Sequence, residues 1–276
     1  MTSNDIARLR CPSCRGALAE QGAALACAGC GARWPVEDGT PRLYRQEQIQ
    51  GTDRLLKVFY DGLPSLHDPL TRHALPILQG GGREHEMRAA YMRRIDLGAL
   101  RPRDDGGPLR VLEVGVGSGA NLPLIEAALP RDLDVEIWGL DYSPGMLRAC
   151  RRSLRAGMRA PRLLLGDAHA LPFPDGAFDR VFHVGAMGSF RDPRRALAEM
   201  ARVARRGTPI VVVDEQLDPA EKHGLFTRAA FRMLTFYDRD PHCPRELLPA
   251  GAAEVLEEQV SRFYYCLRFT VPAAPR

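Results

Sequence analysis

The sequence predicts an α/β domain preceded by a small cysteine-rich module. Two observations carry the α/β class. An apolar, β-branched run at 109–114 breaks into a glycine loop and then a helical stretch, and later apolar runs end at Asp141 and Asp167. Strand and helix signals alternating in this way build a parallel sheet. A third observation sets the module apart: "CPSC" at 11–14 and "CAGC" at 27–30 are two CxxC pairs with twelve residues between them.

The composition bounds the rest. A chain of 276 residues suits one large and one small domain. Its 45% apolar and 26% charged residues are ordinary for a protein that buries a full core. No run approaches the ~18–20 apolar residues of a membrane span. "MTSNDIARLRCPSC" has no apolar leader segment, so a cytoplasmic location is expected. The net charge of +4 is mild and names no polyanionic partner.

Seven cysteines in a reducing compartment argue for metal or free thiols rather than disulfides. Cys150, Cys243 and Cys266 are scattered and expected to pack as small hydrophobes. Cys11, Cys14, Cys27 and Cys30 form a set that suits a closed tetrahedral Zn²⁺ site with no place for a catalytic water. Gly16 follows the first pair and Gly29 and Gly31 flank Cys30, supplying permissive backbone. A redox pair is the weaker alternative, because redox motifs come singly. Residues 11–44 hold too little apolar sequence for a core, so the metal is expected to supply much of the folding energy. The stretch from "CPSC" to "CGARWPVEDGTPRL" resembles small zinc-ribbon activator proteins that partner tRNA- and rRNA-modifying methyltransferases.

Residues 48–107 read as a helical linker or lid. "TDRLLKVFYDGL" is amphipathic, "PLTRHALPIL" is limited by prolines, and "REHEMRAAYMRRIDLGAL" has helical apolar spacing. Tyr60, Asp61 and Tyr91 are lid candidates, with Tyr60 a possible substrate contact.

From 108 to 276 the chain carries the chemistry. After the strand 109–114, Gly115, Gly117 and Gly119 allow backbone to approach a ligand, and a helix is expected from about Ala120. "GVGSGA" also fits a dinucleotide fingerprint. Glu113 argues against that reading, because a carboxylate there repels a pyrophosphate but can hold an ammonium group. "DVEIWGLDYS" ends a second strand at Asp141, placed for both hydroxyls of a ribose. A third strand ends at Asp167, and a fourth runs from Phe178 to Val184.

"VLEVGVGSGANL", "GLDYSPGML", "GDAHALPFPDGAFDRVF" and "RDPRRALAEMARVARRGTPIVVVDE" together resemble the successive motifs of class I S-adenosylmethionine-dependent methyltransferases, most closely the ubiquinone/menaquinone-biosynthesis branch. The resemblance implies a doubly wound, Rossmann-like, mostly parallel sheet with an antiparallel C-terminal strand and the ligand at the carboxyl ends of the strands. It implies that Glu113, Gly115, Gly117 and Gly119 cradle the methionine part of S-adenosylmethionine and that Asp141 binds the ribose. Tyr142 and Met146 would pack on the adenine, Asp167 and Ala168 would meet its nitrogens, and His183 would face the methyl group. His183 is then the candidate general base for an in-line methyl displacement.

Around the acceptor, "GAMGSF" offers the small Gly185, Gly188 and Ser189, which leave room for substrate. An insertion at about 216–250 contains Phe231, Phe236, Tyr237 and His242 as candidate substrate contacts, followed by a helix-like "AEVLEEQV" and a final strand. Arginines 148, 151, 152, 155 and 159 are expected on one face of the helix after Asp141. The favoured acceptor is a small metabolite or natural product. The alternative is an rRNA or tRNA base, gripped through the ribbon, as in the zinc-ribbon rRNA guanine methyltransferases that the module also resembles.

Overall fold

The computed structural model describes residues 1–48, 84–185 and 187–273, so Tyr60 and Asp61 lie outside the described residues. The chain opens with helix α1 (Ser3–Ala7) and strands β1 (Leu18–Gln21), β2 (Ala24–Cys27), β3 (Arg33–Glu37) and β4 (Thr40–Leu43). After α2 (Glu84–Ile95) come β5 (Leu109–Val114), α3 (Leu122–Ala128), β6 (Val135–Asp141), α4 (Pro144–Ser153), β7 (Arg162–Gly166), β8 (Arg180–Val184), α5 (Pro193–Val203) and β9 (Ile210–Glu215). Helix α6 (Leu225–Leu234) and strands β10 (Ala253–Ser261) and β11 (Tyr264–Thr270) complete the described elements.

These strands join one eleven-stranded sheet in the order β1-β2-β3-β4-β7-β6-β5-β8-β9-β11-β10. From β4 to β9 every neighbouring pair is parallel. The reversal of strand order at β5 brings β6 and β8 to its two sides, and β11 then runs antiparallel to β9. This is a Rossmann-like α/β fold with antiparallel C-terminal strands. It differs from the expected "AEVLEEQV" helix: that stretch is the edge strand β10, pairing with β11 through two register shifts. Pairing with β11 outweighs the helix preference of its Glu and Leu residues.

The cysteine module is part of the same sheet. Arg42 and Leu43 of β4 pair in parallel with Leu165 and Gly166 of β7. Its apolar residues Leu9, Leu25, Trp34 and Leu43 share one buried cluster with Trp138, Leu164, Phe173 and Phe178. The little apolar sequence of the module therefore finds its core in the neighbouring domain. Ion pairs reinforce the seam, with Arg162 Nε 2.6 Å from Asp5 and Arg15 3.3 Å from Glu199.

Helix α3 starts at Leu122, two residues beyond the expected start, because the turn before it needs left-handed backbone. Gly119 has φ +80°, and a Cβ there would lie 2.8 Å from both Cys150 Sγ and Leu122 Cδ1. Gly119→Ala combines left-handed strain with overpacking and is expected to cost about 2–4 kcal/mol. A thermal melt checks this, and an unchanged melting temperature would refute it.

Candidate active site

Three adjacent parallel strands deliver acids to one end of the sheet. Glu113 is the penultimate residue of β5, Asp141 closes β6, and Asp167 follows directly on β7. All three are buried. Gly115 and Val116 donate their N–H groups to Leu140 O at 2.7 and 3.0 Å, folding the glycine loop back over β6. Gly117 has φ +53° and open space where a side chain would be, whereas a Cβ at Gly115 would sit 3.2 Å from the His183 ring. The loop thus leaves one approach route free, at Gly117.

Asp141 accepts Gly117 N–H on Oδ2 and Ser143 N–H on Oδ1, both at 2.9 Å. Glu113 accepts Asn121 Nδ2 on Oε1 at 2.6 Å. Asn121 Oδ1 in turn accepts Tyr91 OH at 2.8 Å and Arg88 Nη1 at 2.7 Å. Glu113 Oε2 is buried and has no hydrogen-bond partner among the described residues. Burial pushes the Glu113 carboxyl up to about 8, against the pull of Asn121 and Arg88. An acid so placed waits for a cation.

At Asp167 burial also favours the neutral acid, but bonds from His169 and Arg191 outweigh it and hold the carboxyl at about 2. His169 Nδ1 lies 2.6 Å from Oδ1, and Arg191 Nη2 lies 2.5 Å from Oδ2. Ala168 is buried in the turn that follows, as is Met146 at the start of α4. Tyr142 is half-buried, and its carbonyl accepts Tyr44 OH at 3.0 Å. The cysteine module thereby touches the turn beside Asp141.

His183, next to last on β8, is buried with Nδ1 2.7 Å from Val114 O. Donation to that carbonyl fixes the tautomer and leaves Nε2 as a lone pair, without a partner among the described residues. Burial lowers its pKa to about 4, so the ring is neutral at physiological pH and a weak proton acceptor.

Asp214 and Glu215, both buried, end the adjacent strand β9. Burial and the neighbouring Glu215 carboxylate hold Asp214 well above the usual range. Gly188 N–H donates to Asp214 Oδ2 at 2.9 Å. The space expected beside Gly188 is taken, because the Asp238 carboxylate of the insertion packs directly against its Cα.

The insertion residues divide. Phe231 is buried, with its ring 5.2 Å from Phe263, so it packs in the core. Phe236 is exposed and stacks edge-on against Tyr237 at 5.4 Å. His242 is engaged within the insertion, 2.6 Å from Asp240 O and 3.2 Å from Glu246 Oε1. Among the described residues, the ring and hydrogen-bond contacts of these three side chains do not include His183. Asn121 and Arg88 are the site residues that sequence reasoning missed. Asn121 was signalled by its place at the N-cap of the helix after the glycine loop, whereas nothing in sequence tied Arg88 to Glu113.

The arginine stripe also dissolves. Helix α4 ends at Ser153, so Arg155 and Arg159 lie beyond it. Arg159 pairs with Glu126 at 2.6 Å, and Arg151 reaches Thr40 of the module.

Cys11, Cys14, Cys27 and Cys30 place their four Sγ atoms within 4.8 Å of one another. Two similar turns present them. Arg15 N–H donates to Cys11 O and Gly31 N–H to Cys27 O, while Cys11 and Cys27 donate to Gly16 O and Ala32 O. The left-handed residue is Gly31 in one turn but Arg15, at φ +61°, in the other, where Gly16 was expected to serve. A Cβ at Gly16 would lie 3.0 Å from Cys27 Sγ, so glycine is needed there for room. The donor set and its spacing fit a tetrahedral thiolate metal site.

A methyltransferase-domain family model matches residues 112–212. A demethylmenaquinone methyltransferase of Thermus thermophilus is 37% identical over 47% of this chain and 58% of its own length. A phosphatidylethanolamine N-methyltransferase of Cereibacter sphaeroides is 38% identical over 38% of this chain and 50% of its own. The chain thus spans about half the length of the curated relatives it matches. Among solved structures, Haemonchus contortus phosphoethanolamine N-methyltransferase 2 in complex with S-adenosyl-L-methionine superposes with a TM-score of 0.53 at 13% identity, covering 75% of this chain and 60% of that one. That likeness is one of fold. Residues 112–212, which match the methyltransferase-domain model, hold the glycine turn and the strand ends at Glu113, Asp141 and Asp167 in a Rossmann-like sheet.

Proposed function

We propose that the protein transfers the methyl group of S-adenosylmethionine to a small-molecule acceptor and that its four-cysteine module holds a structural Zn²⁺. The observation that carries the first part is the buried, unpartnered Oε2 of Glu113, set before an open glycine turn and in line with Asp141 and Asp167. A ligand carrying an ammonium group, a ribose and an adenine in that order matches this row.

When bound, S-adenosylmethionine supplies an electrophilic methyl group on a sulfonium. Glu113 would take its ammonium, with Asn121, Tyr91 and Arg88 fixing the carboxylate. Asp141, oriented by two backbone N–H groups, would take the ribose hydroxyls. Asp167 and the backbone of Ala168 would meet the adenine edge, and Tyr142 and Met146 its faces. His183 Nε2 would accept a hydrogen bond from the acceptor and orient it.

Relatives named for demethylmenaquinone and phosphatidylethanolamine support a small-molecule acceptor. The ribbon supports a second reading, an RNA acceptor, through a cavity of about 400 Å³ lined by Arg33, Trp34, Arg42, Tyr44 and Arg45. Arg42, however, is paired with Glu37 at 3.1 Å, and the arginine stripe no longer contributes. Filter binding of total RNA over a salt series separates the two readings, since tight and steeply salt-dependent binding would favour RNA.

Calorimetric titration with S-adenosylmethionine tests the cofactor assignment. Asp141→Ala is expected to cost about 2–3 kcal/mol, a loss of roughly 30- to 150-fold in affinity, because two backbone donors also lose their partner. Absence of binding by the unaltered protein would overturn the reading.

A further inference from the structure

Helix α6 turns two apolar sides outward from its axis. One is buried, with Ala230 and Phe231 facing the protein. The other is exposed: Leu225 at 89%, Phe226 at 74%, Met233 at 66%, and Phe236 just past the helix end at 63%. At about 100° per residue, Leu225, Ala229, Met233 and Phe226 fall within an arc of roughly 100°. Large exposed apolar residues gathered on one stripe mark an interaction surface, whereas scattered ones do not.

One edge of the stripe is basic. Arg228 and Arg232 are exposed on it and Leu225–Leu234 contains no acidic residue, whereas beyond the helix ends Lys222 sits beside Glu221 and Arg239 between Asp238 and Asp240. Arg232 is anchored through Nη1 to Asp238 O at 2.6 Å. Bulky apolar residues bordered by arginines along one edge, on a helix with its own buried face, suit the boundary between acyl chains and anionic headgroups.

The position of the helix adds a consequence. Phe231 packs on Phe263 in the turn between β10 and β11, and the next residue, Tyr264, pairs with Glu215 at the end of β9. Through its buried face α6 is therefore set at the end of the sheet that carries Glu113, Asp141 and Asp167, with the stripe turned outward.

We propose that α6 docks the protein on an anionic lipid surface, with Leu225, Phe226, Met233 and Phe236 entering the acyl boundary and Arg228 and Arg232 meeting headgroup phosphates. The surface stands on exposure and charge alone. That it also admits a lipid-dissolved acceptor rests on the methyl-transfer reading above.

Co-sedimentation of the full-length protein with vesicles of phosphatidylcholine, with and without phosphatidylglycerol, tests this. The protein is expected to pellet with the phosphatidylglycerol vesicles and to be released by salt, each basic residue near the surface contributing roughly fivefold in partition. Phe226→Ser/Met233→Ser/Phe236→Ser and, separately, Arg228→Glu/Arg232→Glu are each expected to lower the partition coefficient at least about tenfold. A calorimetric titration with S-adenosylmethionine that matches the unaltered protein shows that each variant is folded. Failure to pellet with phosphatidylglycerol vesicles would overturn the proposal, as would variants that pellet undiminished. A dimer in sedimentation velocity that the triple variant abolishes, without vesicle binding, would assign the stripe to a second copy instead. Vesicle binding by a protein that does not bind S-adenosylmethionine would leave this surface standing and remove the methyl-transfer reading.

Discussion

Cys27→Ser is expected to abolish zinc binding, unfold the ribbon and weaken S-adenosylmethionine binding in one protein. On the proposed Zn²⁺ site the metal contribution would be large, since structural Zn²⁺ in small domains supplies apparent binding energies of about 10–16 kcal/mol. Cys27 Sγ lies 3.4 Å from Cys14 Sγ inside the four-cysteine cluster, and serine would offer a poor metal ligand in its place. Losing the proposed ion would release the two cysteine turns that flank β1, β2 and β3. Leu9, Leu25 and Trp34, buried in one cluster with Trp138, Leu164, Phe173 and Phe178, then become exposed, so the variant should also aggregate.

The effect on cofactor binding follows from β4. This strand is an integral parallel neighbour of β7, and the residue after it, Tyr44, bonds the carbonyl of Tyr142 beside Asp141. Arg151 on α4 is tied to Thr40 at the start of the same strand. The turn that would hold the ribose is thus braced from the ribbon side. Tyr44→Phe separates bracing from folding: it leaves all four cysteines in place and removes the Tyr44 OH to Tyr142 O hydrogen bond, worth about 0.5–1.5 kcal/mol. That variant should bind zinc fully, melt near the unaltered protein and bind S-adenosylmethionine a few-fold more weakly. Metal analysis, circular dichroism and calorimetry read out the three quantities. A Cys27→Ser protein with full cofactor affinity would show that the ribbon does not support the site.

How much of this was legible beforehand depends on whether the information is local. The glycine turn, the acids at 113, 141 and 167 and the two CxxC pairs are short-range patterns, and the structure places each where its strand or turn directs it. The continuation of the sheet into the ribbon was not legible, because β4 carries "TPRL", four residues with no alternation to mark a buried parallel neighbour. The Arg88–Asn121–Glu113 chain reaches back 33 positions from Asn121 to Arg88, and sequence spacing says nothing about that link. The arginine stripe failed for a local reason: Leu154 leaves the helical region at ψ 134°, so the periodicity carried past it was that of a helix already ended. Phe231 and Phe236 are five residues apart in one insertion, yet one is core and the other surface. Composition marked that segment as aromatic without revealing which face was covered.

Glu113→Gln should move stability and cofactor affinity in opposite directions. In the folded protein burial raises the carboxyl from the usual 4.5 to about 8. Between those values the unfolded chain is ionised while the folded chain keeps its proton. The folded state therefore binds more protons, and stability falls as pH rises through this window. Its full contribution is present below 4.5 and is lost by about 8, with a ceiling near 5 kcal/mol at about 1.4 kcal/mol per pH unit. Glutamine imitates the protonated acid: its oxygen still accepts from Asn121 Nδ2, and its amide takes the place of the unpartnered Oε2. The two proteins should melt together near pH 4.5, and the variant should melt progressively higher toward pH 8. For a ligand bearing an ammonium group the order reverses, because only the carboxylate compensates that charge, and an unmatched buried cation is costly. Calorimetry at pH 8 should then show the variant binding S-adenosylmethionine at least about tenfold more weakly, a difference of about 1.4 kcal/mol. The same experiment on the unaltered protein should show proton release on binding at pH 7, as the ligand drives Glu113 to its ionised form. A variant with unchanged affinity and no proton release in the unaltered protein would mean that Glu113 does not face the cation, and the row of acids would lose its first member.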